Sequence, residues 1–411
     1  MRQIIKTILL SGFASFLTIA LIRFPDQAFE ASIRGLNIWW EVVFPSLLPF
    51  FITAELLIAF GVVKFIGVLF EPIMRPLFNV PGTGSFGWIM GMVSGYPTGA
   101  KIAARLREEG QLTQVEAERL VSFTNASSPL FIFVAVSIGF FHDATLGILL
   151  AASHYIGNAL VGICMGFYKK NKDTKPDNSK NKKDKPAVLR AFLEMHETRM
   201  KDQRPLGEAV SDAVLNSIQT LLMVGGFIIL FSVLTKLLFL SGVSSIFANL
   251  IEGAFVLFSL PADMTLPFIS GIFEITLGAQ MISQTPADSM LSKAVIVSFI
   301  LGFNGFSVQA QVASILARTD IRFAPYFFAR FLHGVLASML TLILYKPLYI
   351  DKQVSHMDPI PVTSPRVSSD TWTILLDSLV QTGPLFTIAS LGLAVVLLYR
   401  RMRKNAAPSS K

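Results

Sequence analysis

SFGWIMGMVSGYPTGAK, residues 85–101, is apolar enough to enter lipid but too short to cross it. Its apolar part, about fifteen residues at 1.5 Å per residue, reaches roughly 22 Å, against ~30 Å for the hydrocarbon core of a bilayer. Gly87, Gly91, Gly95 and Gly99 recur at every fourth position, which on a helix makes a smooth stripe open to close approach by another backbone. Pro97 and Gly99 break that helix part way, and Lys101, Arg105, Arg107, Glu108 and Glu109 follow at once. The stretch predicts a re-entrant hairpin, and such a hairpin needs a membrane protein around it.

The composition agrees. The 411 residues are 52% hydrophobic and 15% charged, where soluble domains carry roughly 25% charged residues. Mean hydropathy is +0.58. The 35 phenylalanines are too many for a soluble core of this size. Disorder, a coiled coil, a disulfide-stapled secreted domain and a nucleic-acid binder are excluded or disfavoured by the same figures. Cys164, the single cysteine, can form no internal bridge and reads as packing.

Working outward, Gly110 ends the second arm of the hairpin, and Thr113 with Glu116 forms a capping-box pattern that opens a new helix. Thr124-Asn125-Ala126-Ser127-Ser128-Pro129 interrupts this helix before an apolar run resumes at Leu130–Phe141, and Ala144–Phe167 crosses conventionally. Upstream, Ile4–Ile22 reads as an uncleaved anchor. Ala31–Phe60 starts amphipathic and turns apolar after Pro45 and Pro49, as an interfacial helix feeding a span would. Val62–Val80 carries too many charges and prolines to cross cleanly.

The net charge of +8 is concentrated in two places. Lys169–Arg204 holds twelve Lys/Arg against six Asp/Glu, and Arg400–Lys411 holds five against none. In a chain that otherwise avoids charge, both mark the cytoplasmic side. The first half of the linker reads as solvated and mobile, and Leu189–Met200 as an amphipathic surface helix.

After the linker the pattern begins again. Leu206–Leu240 is amphipathic and then apolar, Leu266–Ile282 is short with Gly271 and Gly278, Ala294–Leu316 is interrupted at Gly302-Phe303-Asn304-Gly305, and Ala324–Tyr345 crosses. Ser94-Gly95 recurs as Ser270-Gly271, Val121-Ser122-Phe123 as Val297-Ser298-Phe299, and Gly157 as Gly334, in common order and nearly common spacing. The first unit begins outside and ends at the basic linker, so the second begins inside and ends outside, at Pro347–Asp370. Leu385–Leu398 then returns to the basic tail. The expectation is an all-α polytopic membrane protein of two inverted repeats with re-entrant and broken helices, flanked by single spans. Its divisions are an anchor over 1–27, repeat 1 over 28–168, a basic cytoplasmic linker over 169–205, repeat 2 over 206–346, an external loop over 347–370, and a span with a basic tail over 371–411. Both termini are then cytoplasmic.

Candidate site residues are polar groups that lipid should expel unless they are used or satisfied. The first hairpin offers Ser94, Tyr96, Thr98 and the cation Lys101; its counterpart Phe273–Gln280 offers Glu274, Thr276 and Gln280. An ionisable group within a membrane segment costs at least ~2.5–3.5 kcal/mol, so Glu274 calls for a partner, with Lys101 as the bland choice, or a solute. The interrupted helices add Asn125, Ser127 and Ser128 from one repeat and Asn304, Ser307, Gln309 and Gln311 from the other, where half-helix ends expose backbone groups able to bind ions or polar solutes. Their bland role is to satisfy broken backbone. Glu55, His154, Asp212, Arg330, His333 and Asp377 read as isolated, or near enough to an interface to reach water.

Other patterns carry little. Gly82, Gly84 and Gly87 match G-x-G-x-x-G without a βαβ context, and His196-Glu197 lacks the second histidine of a zinc helix. No P-loop, metal-ligand cluster or nucleophile triad is present, so the chain is not expected to be an enzyme or to hold a cofactor or metal.

With SGYPTGAKIA at 94–103, SFTNASSPLFI at 122–132, FEITLGAQ and GFNGFSVQAQ quoted, the chain resembles the nucleoside-recognition or Gate-domain family, in its sporulation integral membrane branch. That family resembles part of the concentrative nucleoside transporters. The resemblance covers nearly the whole chain except linker and tail. It implies a role in making the spore cortex, in a membrane of a sporulating bacterium, and supplies no substrate or binding residue. The expected function is a secondary-transporter-like carrier of a small polar or anionic solute, with Lys101 and broken-helix N-termini holding the solute and Glu274 sensing H+ or Na+. The alternative is a scaffold for cortex synthesis without transport. The expected partners are the lipid bilayer and that solute, with self-association admitted and no nucleic acid.

Overall fold

The computed structural model describes residues 2–169, 186–201, 204–286 and 289–352. The last span, the basic tail, most of the external loop and the first half of the linker lie outside the described residues. Among those described, regular structure is helical throughout.

Among the described residues four helices are long and apolar enough to cross a bilayer: Ala144–Gly166, Leu206–Leu240, Met290–Leu316 and Phe323–Ile350. Two bent pairs pass the same test only together, Thr7–Arg23 with Pro25–Glu41, turned by 105°, and Leu47–Ala59 with Val62–Phe78, turned by 82°. Large apolar side chains such as Leu222 and Leu230 on the second of the four, and Phe328 and Ile343 on the last, face outward. Such faces suit lipid, where there is no water to penalise them.

α1 (Arg2–Arg23) ends at the 105° turn, and α2 (Pro25–Asn37) begins with proline in its first turn, where no backbone N–H is lost. The amphipathic face of α2 packs on α10 (Leu206–Leu240): Ser232 donates to the Ala31 carbonyl at 2.8 Å. A π-helical turn, Ile38–Val43, leads into α3 (Phe44–Ala59), and α4 (Val62–Phe78) runs unbroken through Pro72 and Pro76. The linker helix α9 (Ala187–Lys201) docks on α4, with Phe192 edge-on to Phe65 at 5.0 Å.

A helical hairpin forms here, but its break falls at Gly95–Pro97, and Gly99, expected at the break, lies inside the second arm. α5 (Gly84–Ser94) turns through Gly95, at φ +84°, into α6 (Thr98–Glu108). The backbone its glycines admit is the broken span: a methyl at Gly91 or Gly99 would overlap the Thr124 carbonyl oxygen, and one at Gly95 would lie 3.1 Å from Ser128. α7 (Gln114–Thr124) opens on the expected capping box, with Thr113 N–H donating to Glu116 at 2.8 Å and Glu116 N–H to the Thr113 hydroxyl at 3.2 Å. Thr113→Ala should lower stability by about 1 kcal/mol, measurable as a lower melting temperature of the detergent-solubilised protein. Beyond the break the chain resumes as a π-helical segment, Leu130–Phe140, and α8 (Ala144–Gly166) crosses.

In the second half α11 (Val243–Leu257) leads to α12 (Thr265–Phe273) and α13 (Ile275–Gln284), a second hairpin broken at Glu274. α14 (Met290–Phe303) and α15 (Gly305–Leu316) meet at Asn304, which is left-handed at φ +74°. α16 (Phe323–Tyr345) continues through a π turn to Ile350, into the stretch expected as an external loop. Three landmarks share one spacing: Glu274 follows Gly95, Asn304 follows Asn125, and Phe323 follows Ala144, each by 179 residues. The repeated dipeptide and tripeptide, spaced by 176, sit about one helical turn out of step with these breaks.

Contacts between the halves are reciprocal. α7 packs on α16 and α14 on α8; α6 packs on α15 and α13 on the Leu130–Phe140 segment; α8 packs on α16. α8 and α16 run antiparallel. Asp143, capping the start of α8, accepts from Tyr349 beyond the end of α16 at 2.6 Å. At the other end Arg322, before α16, and Tyr168, after α8, both bond Glu118. Arg107 and Asp320 close the same face at 2.7 Å, and this guanidinium holds the Asp320 carboxyl below its ordinary value.

Candidate functional site

The two hairpin turns and the segments beside both span breaks border one cavity of ≈ 310 Å³. Ser94, Gly95, Tyr96 and Ser128 come from the first half, and Glu274, Thr276, Gln280, Ser307 and Gln311 from the second. α3 and α10 complete it with apolar walls, among them Leu47, Val224 and Ile228, and α2 supplies Arg34, its single lining cation among the described residues.

Glu274 sits here for a local reason. It is extended, at φ −143°, and its carboxylate caps α13, accepting from Thr276 N–H at 3.1 Å and Leu277 N–H at 2.7 Å. The positive end of a helix favours a carboxylate there, which supplies part of the partnership its position demands. The carboxylate still lines the cavity. Ser94 is buried and its hydroxyl has no hydrogen-bond partner, so this wall keeps an unused polar group.

Lys101 is placed differently from the expectation. Its ammonium pairs with Glu55 at 3.3 Å and lies 4.7 Å over the Phe51 ring, and it does not line the cavity. Neither the Lys101–Glu274 pairing nor the isolation of Glu55 holds. One turn of helix carries Lys101 to the opposite side of the hairpin turn, facing α3.

Asn125, Ser127, Asn304 and Gln309 lie away from the cavity, in a buried seam that closes the broken helix ends. The amide of Asn304 donates to the Asn125 carbonyl at 3.1 Å, and that of Asn125 to the Tyr326 hydroxyl at 2.8 Å. Gln309 donates to the Phe303 carbonyl, the last of α14, at 3.0 Å. Ser127 N–H donates to His154 at 3.0 Å, and its hydroxyl meets that of Tyr96. Thr98 is buried beside Lys101, under the hairpin turn.

Arg330, His154 and His333 prove to be fully buried and joined, where the sequence reading took them as isolated. Arg330 donates to the Asn125 carbonyl at 2.9 Å, to His333 Nδ1 at 3.1 Å, to Asn158 at 3.2 Å and to the Ser122 carbonyl. Asn158 donates to the Phe123 carbonyl. The freed carbonyls at the end of α7 are thus met by α8 and α16, and the negative end of α7 faces the guanidinium. His154 Nε2 accepts a backbone N–H, and His333 donates through Nε2 to the His154 carbonyl at 2.8 Å while Nδ1 accepts from Arg330. Each imidazole therefore uses one nitrogen as acceptor and is neutral. The only sign in the sequence was three costly residues spaced along two spans.

No group of His, Cys, Asp and Glu able to hold a metal occurs among the described residues. Fold and apolar helices define a polytopic helical membrane protein, and the Gate, or nucleoside recognition, family model matches its residues 40–144 and 221–319. The chain is 51% identical to the sporulation integral membrane protein YlbJ of Bacillus subtilis, over 97% of both chains. It belongs to the YlbJ family of sporulation integral membrane proteins. It is also 32% identical, over 25% of this chain and 23% of the other, to the uncharacterized protein BpOF4_10220 of Alkalihalophilus pseudofirmus. No solved structure matches.

Proposed function

We propose that the chain is a secondary-transporter-like carrier of a small polar or anionic solute, coupled to H+ or Na+, and that it is required for spore cortex formation. The observation that carries this reading is the cavity, bordered by both hairpin turns and by polar residues from both halves. Its ≈ 310 Å³ suits a small molecule, at the lower end of the roughly 300–1,000 Å³ usual for ligand pockets. Carriers built from inverted repeats keep their sites at such junctions of discontinuous helices.

Inversion of the halves is supported by the antiparallel pairing of α8 with α16 and by the reciprocal contacts of the other elements. The common spacing of the breaks and the family match in each half support duplication. With the basic linker inside, both termini lie in the cytoplasm.

In this reading Ser94, Tyr96, Ser128, Thr276, Gln280 and Ser307 meet the solute, while Glu274 carries or senses the coupling ion. Glu274→Gln keeps one acceptor for the α13 cap and removes the charge. It should abolish ion-driven uptake in reconstituted vesicles and cortex formation in sporulating cells, with the protein still in the membrane. Normal uptake and normal spores from that variant would overturn the assignment. If, in addition, deleting residues 170–185 abolished cortex formation, a scaffold would be favoured.

A further inference from the structure

Below the cavity, toward the linker helix, lie two more polar spaces of ≈ 390 and ≈ 180 Å³. They share Glu55, Arg105 and Asn216 and therefore adjoin. Four elements border both levels, and each divides cleanly between them. α3 gives Leu47 to the cavity but Glu55 to the lower spaces, and α10 gives Val224 onward to the cavity but Asn216 to Met223 below. The hairpin gives Ser94 to Tyr96 above and Lys101 to Glu108 below, and α15 gives Ser307 to Gln311 above and Ile315 below. The boundary crosses all four elements at one level.

Two layers fill that boundary. Leu47, Phe51 and Leu221 bury against one another as a separate apolar cluster. Immediately beneath, Lys101 pairs with Glu55 while lying over the Phe51 ring. The side chains of Lys101 and Glu55 are only 16% and 11% exposed, so their attraction is little screened by water. The pair ties the hairpin arm α6 to α3, and the aromatic ring couples it to the apolar layer.

We infer that Phe51, Lys101 and Glu55 form the gate that separates the solute cavity from the vestibule on the linker face. The inference deepens the carrier reading and rests on it. A carrier must open its site to each face in turn, and an ion pair spanning two elements can part when they separate and its charges reach the water of the vestibule. Lys101 then acts on access, with no contact to the solute.

The test uses the full chain with Cys164→Ser, a reporter Val224→Cys in the cavity wall, and a charged, membrane-impermeant methanethiosulfonate applied to either face of oriented vesicles. With the gate intact the reporter should react from the face opposite the linker and slowly from the linker face. Lys101→Met and Glu55→Gln should each raise the linker-face rate by roughly tenfold, as when a closed population loses one of its holding contacts. The exchange of Glu55→Lys with Lys101→Glu should lower it again. A linker-face rate unchanged in both single variants, with reaction from the opposite face retained, would overturn the gate and leave the carrier reading standing. A reporter inert from both faces in every variant would overturn both.

Discussion

Arg330→Met is expected to cost about 3 kcal/mol of stability: the four acceptors it would strand, at ~1–3 kcal/mol each, sum to roughly 4–12 kcal/mol, of which relaxation recovers the larger part. The guanidinium is fully buried, and among the described residues no carboxylate pairs with it. It is held by the carbonyls of Ser122 and Asn125, by Asn158 and by His333. Removing it leaves the Ser122 carbonyl without that donor in a region closed to water, and weakens the junction of α7, α8 and α16. Arg330→Lys keeps the charge but cannot fork to four acceptors, so it should recover only part of the loss. Thermal unfolding of the purified protein in detergent checks this. A methionine variant as stable as the parent would mean that relief from burying a charge outweighs the bonds it makes.

The second large effect is steric. α14 and α16 cross with their backbones nearly touching: a Cβ at Gly302 would stand 2.8 Å from Gly334 Cα and N. Backbone cannot swing aside as a flexible side chain can, so Gly302→Ala should cost about 1–3 kcal/mol, and Gly302→Leu should prevent assembly of these helices. Gly226→Ala on α10, where a Cβ meets nothing within 4 Å, is the control and should be neutral or slightly stabilising, since alanine loses less freedom in a helix. Size-exclusion profiles and melting temperatures of the three variants decide. A Gly302→Leu protein that remains monodisperse and as stable as the Gly226→Ala control would refute the close crossing.

Local features were legible in the sequence where one residue's own chemistry sets them. The capping box at Thr113, the turn at Gly95 and the interruption before Pro129 all follow from backbone rules that act within a few residues. What could not be read were pairings made by the fold. Lys101 meets Glu55, which precedes it by the last turn of α3 and the whole of α4 and α5, and Arg330 caps a helix that ends some two hundred residues earlier. Glu274 was legible as costly, but its role as a cap was not, because it required knowing that the helix breaks at that residue. The candidate site was therefore half visible. Ser94, Tyr96, Glu274, Thr276 and Gln280 of the hairpins reach the cavity with Ser128 and Ser307, while Thr98 and Lys101 do not line it; Asn304 and Gln309 satisfy backbone at the breaks, and Asn125 and Ser127 bond tyrosine hydroxyls there.

Two corresponding halves inserted in opposite senses, with a cavity bordered by both, are the core of this account. The most direct test places single cysteines, in a Cys164→Ser background, at Glu109 ahead of α7 and at Pro286 ahead of α14, which lie in corresponding connections of the two halves. Labelled with a membrane-impermeant reagent in right-side-out and inverted vesicles, the two cysteines should react from opposite faces, and a third at Ala317 should react from the same face as Glu109. Reaction of the Glu109 and Pro286 positions from one and the same face would contradict it.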